Sequence, residues 1–139
     1  MITVSYAHQL NYLYGAKQER SPGLLLQIWN LANSEQTLET DAYLDSGAER
    51  SLFDGQIGRA IGLNLLDGRM VSFQSTAGRV VEGRLHQVGL AHPDLGEFQL
   101  EIGFSMERIA RNLLGRDFFN LIQIGFRERY LAVYVTPSP

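Results

Sequence analysis

Asp45-Ser46-Gly47, inside the stretch ETDAYLDSGAERSLF (Glu39–Phe53), sets a carboxylate, a hydroxyl and a residue without a side chain side by side. A carboxylate can take a proton from water or give one to a developing oxyanion. A serine hydroxyl can bond backbone across a symmetric contact. Glycine lets a second backbone approach closely. Read alone, the same three residues also make an Asx or Ser turn at a strand end, which needs no chemistry.

Other chemistries are poorly supplied. The absence of cysteine removes disulfides, thiol nucleophiles and thiolate metal sites. His8, His86 and His92 are scattered, with no H-x-x-H or H-E-x-x-H spacing, so no metal site is expected. There is no phosphate-binding glycine loop with lysine and no G-x-S-x-G, and no cofactor is expected. A net charge of -3 gives no footprint for nucleic acid or a membrane. Residues 1–14 lack a basic start before an apolar run, and GLLLQIW is too short to span a bilayer. The expectation is a soluble, cytoplasmic protein.

The elements that would hold the aspartate are mostly strands. At 139 residues and 45% apolar content the chain suits one domain with its own core. ITVSYA, LNYLYG and LLLQIWNL read as strand material, with ANSEQ as a turn. TLETDAYL alternates, with Leu38, Thr40, Ala42 and Leu44 on one face and Glu39, Asp41 and Tyr43 on the other. Asp45 therefore follows directly on a strand end. Phe53, Ile57 and Ile61 are spaced for a short helix ending at Gly62. Asp67-Gly68 marks a turn, FQSTAGRVVEGRLHQVGL a hairpin with its tip at Ser75–Gly78, and FQLEIGF a further strand. SMERIARN reads as a loop or helical turn, a second short helix is expected from Asp117, and RYLAVYV closes the chain as a strand. Trp29 suits a core or interface position. The sum is mainly β with one or two short helices.

The full segment AYLDSGAERSLF resembles the active-site motif of the retropepsin-like aspartic peptidases, the family of the retroviral proteases. That motif runs apolar, apolar, Asp, Ser or Thr, Gly, Ala, a polar or acidic pair, then Ser or Thr and apolar residues. A second landmark of the family, two apolar residues and Gly followed by Arg and Asp or Asn, is matched by Leu113, Leu114, Gly115, Arg116 and Asp117. The family's flap hairpin lies between the two landmarks, where VSFQSTAGRVVEGR stands. The match covers about residues 37–126 and leaves both ends uncovered.

The resemblance implies a closed β-barrel subunit with a flap, and an aspartic endopeptidase acting on a peptide or protein substrate. The chain has a single D-[ST]-G, so Asp45 would need its counterpart from a second copy in a twofold homodimer. Ser46 would bond across that interface, and Gly47 would offer its carbonyl to an extended peptide. Ala48 completes the motif, and Glu49 would pair with Arg116 to tie the active-site loop to the following helix. Ser75, Thr76, Ala77 and Gly78 would form a flap tip with fewer glycines than the retroviral flaps. Retroviral dimers interleave short terminal strands. The longer ends here would either cover each subunit's own edge or move the seam elsewhere. The alternative reading is a catalytically weak binding or dimerisation module on the same fold.

Overall fold

The computed structural model describes residues 1–15, 17–74 and 78–137. In chain order its strands are β1 (His8–Asn11), β2 (Leu13–Tyr14), β3 (Arg20–Ser21), β4 (Gly23–Asn30), β5 (Asn33–Leu44), β6 (Leu52–Asp54), β7 (Arg69–Gln74), β8 (Val80–His92), β9 (Gly96–Ser105), β10 (Leu113–Leu114), β11 (Ile122–Arg127) and β12 (Ala132–Pro137). Two short helices, α1 (Gly55–Ala60) and α2 (Arg116–Phe119), and single 3-10 turns at Leu65–Asp67 and Glu128–Tyr130 complete it.

The main sheet runs β4-β5-β10-β6-β9-β8-β7, and β4 also pairs with β8, so six strands close into a ring. β5–β10 and β6–β9 are parallel; the other pairs of this sheet are antiparallel. Closure removes the free edges of those six strands, while among the described residues β7 pairs with β8 alone and lies outside the ring. The alternation expected for β5 appears as buried Ala42 and Leu44, half-buried Leu38 and Thr40, and exposed Glu39 and Asp41. Inside the ring, Phe53 and Phe104 are fully buried and meet edge to face at 6.4 Å. Leu26, Ile28, Val88, Leu90 and Ile102 fill the space around them. Each such side chain contributes about 1.5–3 kcal/mol through burial.

α1 forms where the Phe53, Ile57, Ile61 spacing predicts. Asp54 caps it by accepting the Gln56 N–H at 2.9 Å, and Gly62 ends it at φ +86°. Such a φ disfavours any residue with a Cβ. β7 and β8 form the expected hairpin, with Gly78 at φ +79°. Ser75, Thr76 and Ala77, named for the tip, lie outside the described residues. Trp29 is half-buried and lies against Gly89, its cross-strand partner on β8.

The ends depart from expectation. ITVSYA is not a strand: Met1–Tyr6 precede β1, with Met1, Ile2 and Val4 exposed and no strand pairing them. ANSEQ is mostly strand, because the turn is confined to Leu31 and Ala32 and β5 starts at Asn33. The second helix starts at Arg116, one residue before Asp117. β1, β12 and β11 form a separate antiparallel sheet, so both ends of the chain pair with each other. Tyr12, just beyond β1, is buried and donates its hydroxyl to Glu128 at 3.0 Å.

His92 stands at the turn between β8 and β9. Its Nδ1 accepts the Asp94 N–H at 3.1 Å, which requires that nitrogen to be unprotonated. Burial pushes the His92 pKa below its ordinary value; Asp94 raises it, and His8 lowers it further. The folded state thus binds the proton less readily than the unfolded chain. The resulting stability is complete above the unfolded value, about 6.5, and is lost as pH falls through the folded pKa. Unfolding free energies measured from neutral pH down to about pH 5 should fall more shallowly for His92→Gln than for wild type. Parallel curves would remove His92 as the cause.

Candidate active site

Asp45 sits where β5 stops. Its N–H donates to the Leu114 carbonyl at 2.9 Å, extending the parallel β5–β10 pair by one residue. The chain then turns: Ala48 N–H donates back to the Asp45 carbonyl at 3.2 Å, and Gly47 N–H donates to Asp45 Oδ1 at 2.9 Å. The half-buried carboxylate is therefore aimed by its own loop, with one oxygen held. Ser46 and Gly47 are exposed beside it, and Ala48 is half-buried.

The second motif supports this loop from below. Arg116 N–H donates to Ala48 O at 2.8 Å, and Asp117 N–H to Glu49 O at 3.3 Å. Gly115 must lack a side chain, because a Cβ there would lie 2.7 Å from Ala48 O and 2.9 Å from Arg50 O. The two motifs, far apart in sequence, make one structure at the ends of two parallel strands.

The expected ion pair does not form. Glu49 and Arg116 are both exposed, and they are not among the ion pairs of the described residues. Arg116 meets the loop through its backbone N–H, with its side chain exposed. Ser51 and Asp117 make the tie instead. Asp117 Oδ1 accepts the Ser51 hydroxyl at 2.7 Å and Oδ2 accepts the Ser51 N–H at 3.0 Å. Ser51 Oγ in turn accepts the Gly115 N–H at 3.0 Å, and Ser51 is fully buried. Both residues stand within the quoted motifs, as the Ser or Thr of the first and the Asp or Asn of the second.

Comparison with known proteins bears on this geometry. No protein-family profile matches the chain, and no curated protein does. Solved structures do. The EIAV protease complexed with the inhibitor HBY-793 superposes with a TM-score of 0.55 at 17% identity, over 76% of this chain and 91% of its own. A retropepsin-like aspartic protease from Rickettsia conorii superposes with a TM-score of 0.63 at 10% identity, over 98% of this chain and all of its own. The chain has a retropepsin-like fold.

On this retropepsin-like frame a cleft of about 640 Å³ flanks the β5 end. Tyr43 lies two residues before Asp45, on the same strand face. The Arg111 guanidinium stacks over its ring at 4.0 Å, and both line the cleft with Asp41 and Ile109. β2 and the segment leading into β3, outside the stretch the motifs cover, supply another wall through Leu13 and Glu19. The loop before β10 is anchored by buried Asn112. Its Oδ1 accepts the Asp54 N–H at 2.8 Å, and its Nδ2 donates to Thr40 Oγ1 at 3.1 Å and Asp41 O at 3.0 Å. The Asp45–Gly47 loop does not itself line this cleft, and sequence reading did not single out Tyr43, Arg111 or Asn112 as lining it. The strand alternation could have found only Tyr43.

The histidines are apart from this site. His86 Nε2 bonds the Leu65 carbonyl at 3.0 Å, and His8 stands 3.7 Å from Asp94. No helix among the described residues is long and apolar enough to cross a membrane.

Proposed function

We propose that the chain is an aspartic endopeptidase, active as a homodimer in which two Asp45 carboxylates hold the attacking water. One observation carries this. Asp45 is the aspartate that a strand end and a tailored loop aim outward, and its chain offers no second one placed likewise. Asp54 caps α1, Asp67 and Asp94 lie in distant turns, Asp117 is engaged by Ser51, and Asp41 stands further back on β5. A twofold axis through the loop supplies the missing partner.

Two carboxylates in contact cannot both ionise cheaply, so the working pair holds one proton between them. The ionised member takes a proton from the water as its oxygen attacks the peptide carbonyl carbon. The protonated member gives its proton to the carbonyl oxygen. On collapse of the tetrahedral intermediate the carboxylate that took the water's proton gives it to the amide nitrogen, the C–N bond breaks, and the hydroxyl proton returns to the other carboxylate, leaving an acid, an amine and the dyad with its one proton. Ser46, exposed on the loop, bonds across to its counterpart, and the Gly47 carbonyl receives the substrate backbone. The arms of the β7–β8 hairpin, one ending at Gln74 and the other starting from Gly78 among the described residues, lie over the extended peptide.

The test is a peptide-library digest run beside sedimentation. Cleavage should be fastest on the acid side of neutral and should fall over a roughly hundred-fold dilution as dimers part. Undiminished cleavage by a protein that sediments as a monomer would overturn the reading. A dimer that cuts no peptide would favour the binding-module alternative.

A further inference from the structure

The two free edges of the terminal sheet are not equivalent. Within β1-β12-β11, the strand β1 is committed to its own chain through four residue pairs with β12, from His8–Val135 to Asn11–Ala132. At its outer side His8 stands 3.7 Å from Asp94, in the β8–β9 turn, so that edge has a neighbour. The segment Ser5–Ala7 lies on the outer face of the sheet. Ala7 N–H donates to Thr136 Oγ1 at 2.8 Å, Gln123 Nε2 donates to Ser5 O at 2.7 Å, and Tyr6 packs on Tyr134 at 5.8 Å. Among the described residues no strand takes the outer edge of β11.

That edge is unusual in two respects. Ile122, Ile124 and Phe126 share the inward row of β11 and go from buried to half-buried to exposed, Phe126 ending 41% exposed although it packs on Phe119 at 6.1 Å. The core-facing row thus runs past the end of its own core. The strand is also self-complementary when folded back antiparallel about Gly125. Gln123 then faces Arg127 of the second copy, Ile124 faces Phe126, and no like charges meet. β11 follows directly on α2, whose first residues carry the Asp45 loop, so a twofold axis at this edge is coupled to that loop by a short length of chain.

We propose that the outer edge of β11 is the seam of the dimer: it pairs antiparallel with β11 of a second copy, about a twofold axis at Gly125. The seam joins two three-stranded sheets into one of six strands. Neither copy lends a terminal strand to the other. This rests on the dimeric peptidase reading and states where its symmetry axis runs.

The chain lacks cysteine, which makes a direct test available. In Gln123→Cys/Arg127→Cys the two thiols lie about 13 Å apart along one strand, too far to join in cis. Across the proposed seam each faces its opposite, with Cα atoms about 4.5–5.5 Å apart, within disulfide reach. The double variant should oxidise to a covalent dimer and keep its cleavage over the roughly hundred-fold dilution that silences the wild type. Each single variant should stay uncrosslinked. A double variant that does not crosslink, while wild type sediments as a dimer and cuts peptides, overturns the seam and leaves the peptidase reading standing. A crosslinked dimer with no cleavage, in a protein whose wild type also cuts nothing, upholds the seam and removes the peptidase reading. No dimer of any kind overturns both.

Discussion

Asp45→Asn should leave a folded protein that no longer cuts peptides, with cleavage reduced on the order of 10³-fold or more. The amide keeps the shape of the side chain, and its Oδ1 can still accept the Gly47 N–H now bonded at 2.9 Å. The loop should therefore hold its conformation, and the unfolding midpoint should move little. What is lost is the exchangeable proton, since an amide neither takes one from water nor gives one to an oxyanion at ordinary pH. Mixing separates this loss from misfolding. With an excess of Asp45→Asn subunits, most wild-type chains should sit in mixed dimers that hold one carboxylate, and activity should fall in proportion. Wild-type cleavage rates in the single variant would end the mechanism. Full activity in the mixture would end the shared site.

The parts of this fold that sequence makes visible are the local ones. The alternation from Leu38 to Leu44 is imposed by a single strand with one face in the core, and it points straight to Asp45 as the residue after the strand. The α1 spacing and the Gly62 stop are equally local. The partners of the termini are not. β1 pairs with residues more than 120 positions away, and nothing in His8–Asn11 specifies Ala132–Val135 over any other strand. ITVSYA has the composition of a strand, yet a strand needs a neighbour for its backbone groups, and here none is offered to Met1–Val4. The Glu49–Arg116 pair fails for a related reason. Charge suggests it, but side-chain direction is set by the backbone. Once the Arg116 N–H takes the Ala48 carbonyl, the guanidinium is left on the exposed side.

Asp117→Ala should then be the costly substitution in the second motif, and Arg116→Ala the mild one. Removing the Asp117 carboxylate strips the hydrogen-bond partner from the Ser51 hydroxyl and the Ser51 N–H, both on a residue with no solvent exposure. Each buried donor left unpaired costs about 1–3 kcal/mol, so for the two a loss of about 2–6 kcal/mol is expected. Arg116 and Glu49 are exposed, and their alanine variants should lie within about 0.5 kcal/mol of wild type. Asp117→Asn should fall between. Its carbonyl can still receive the hydroxyl, but its NH₂ would face the Ser51 N–H donor to donor. The comparison needs denaturant unfolding at one fixed protein concentration, because association adds to apparent stability. Cleavage should follow the same order, since Ser51 Oγ also holds the Gly115 N–H and so couples the network to the strand that carries Asp45. If Arg116→Ala proves as damaging as Asp117→Ala, the charge pair matters after all in the assembled protein. If neither moves stability or rate, the loop is held by its backbone contacts with β10 and α2 alone.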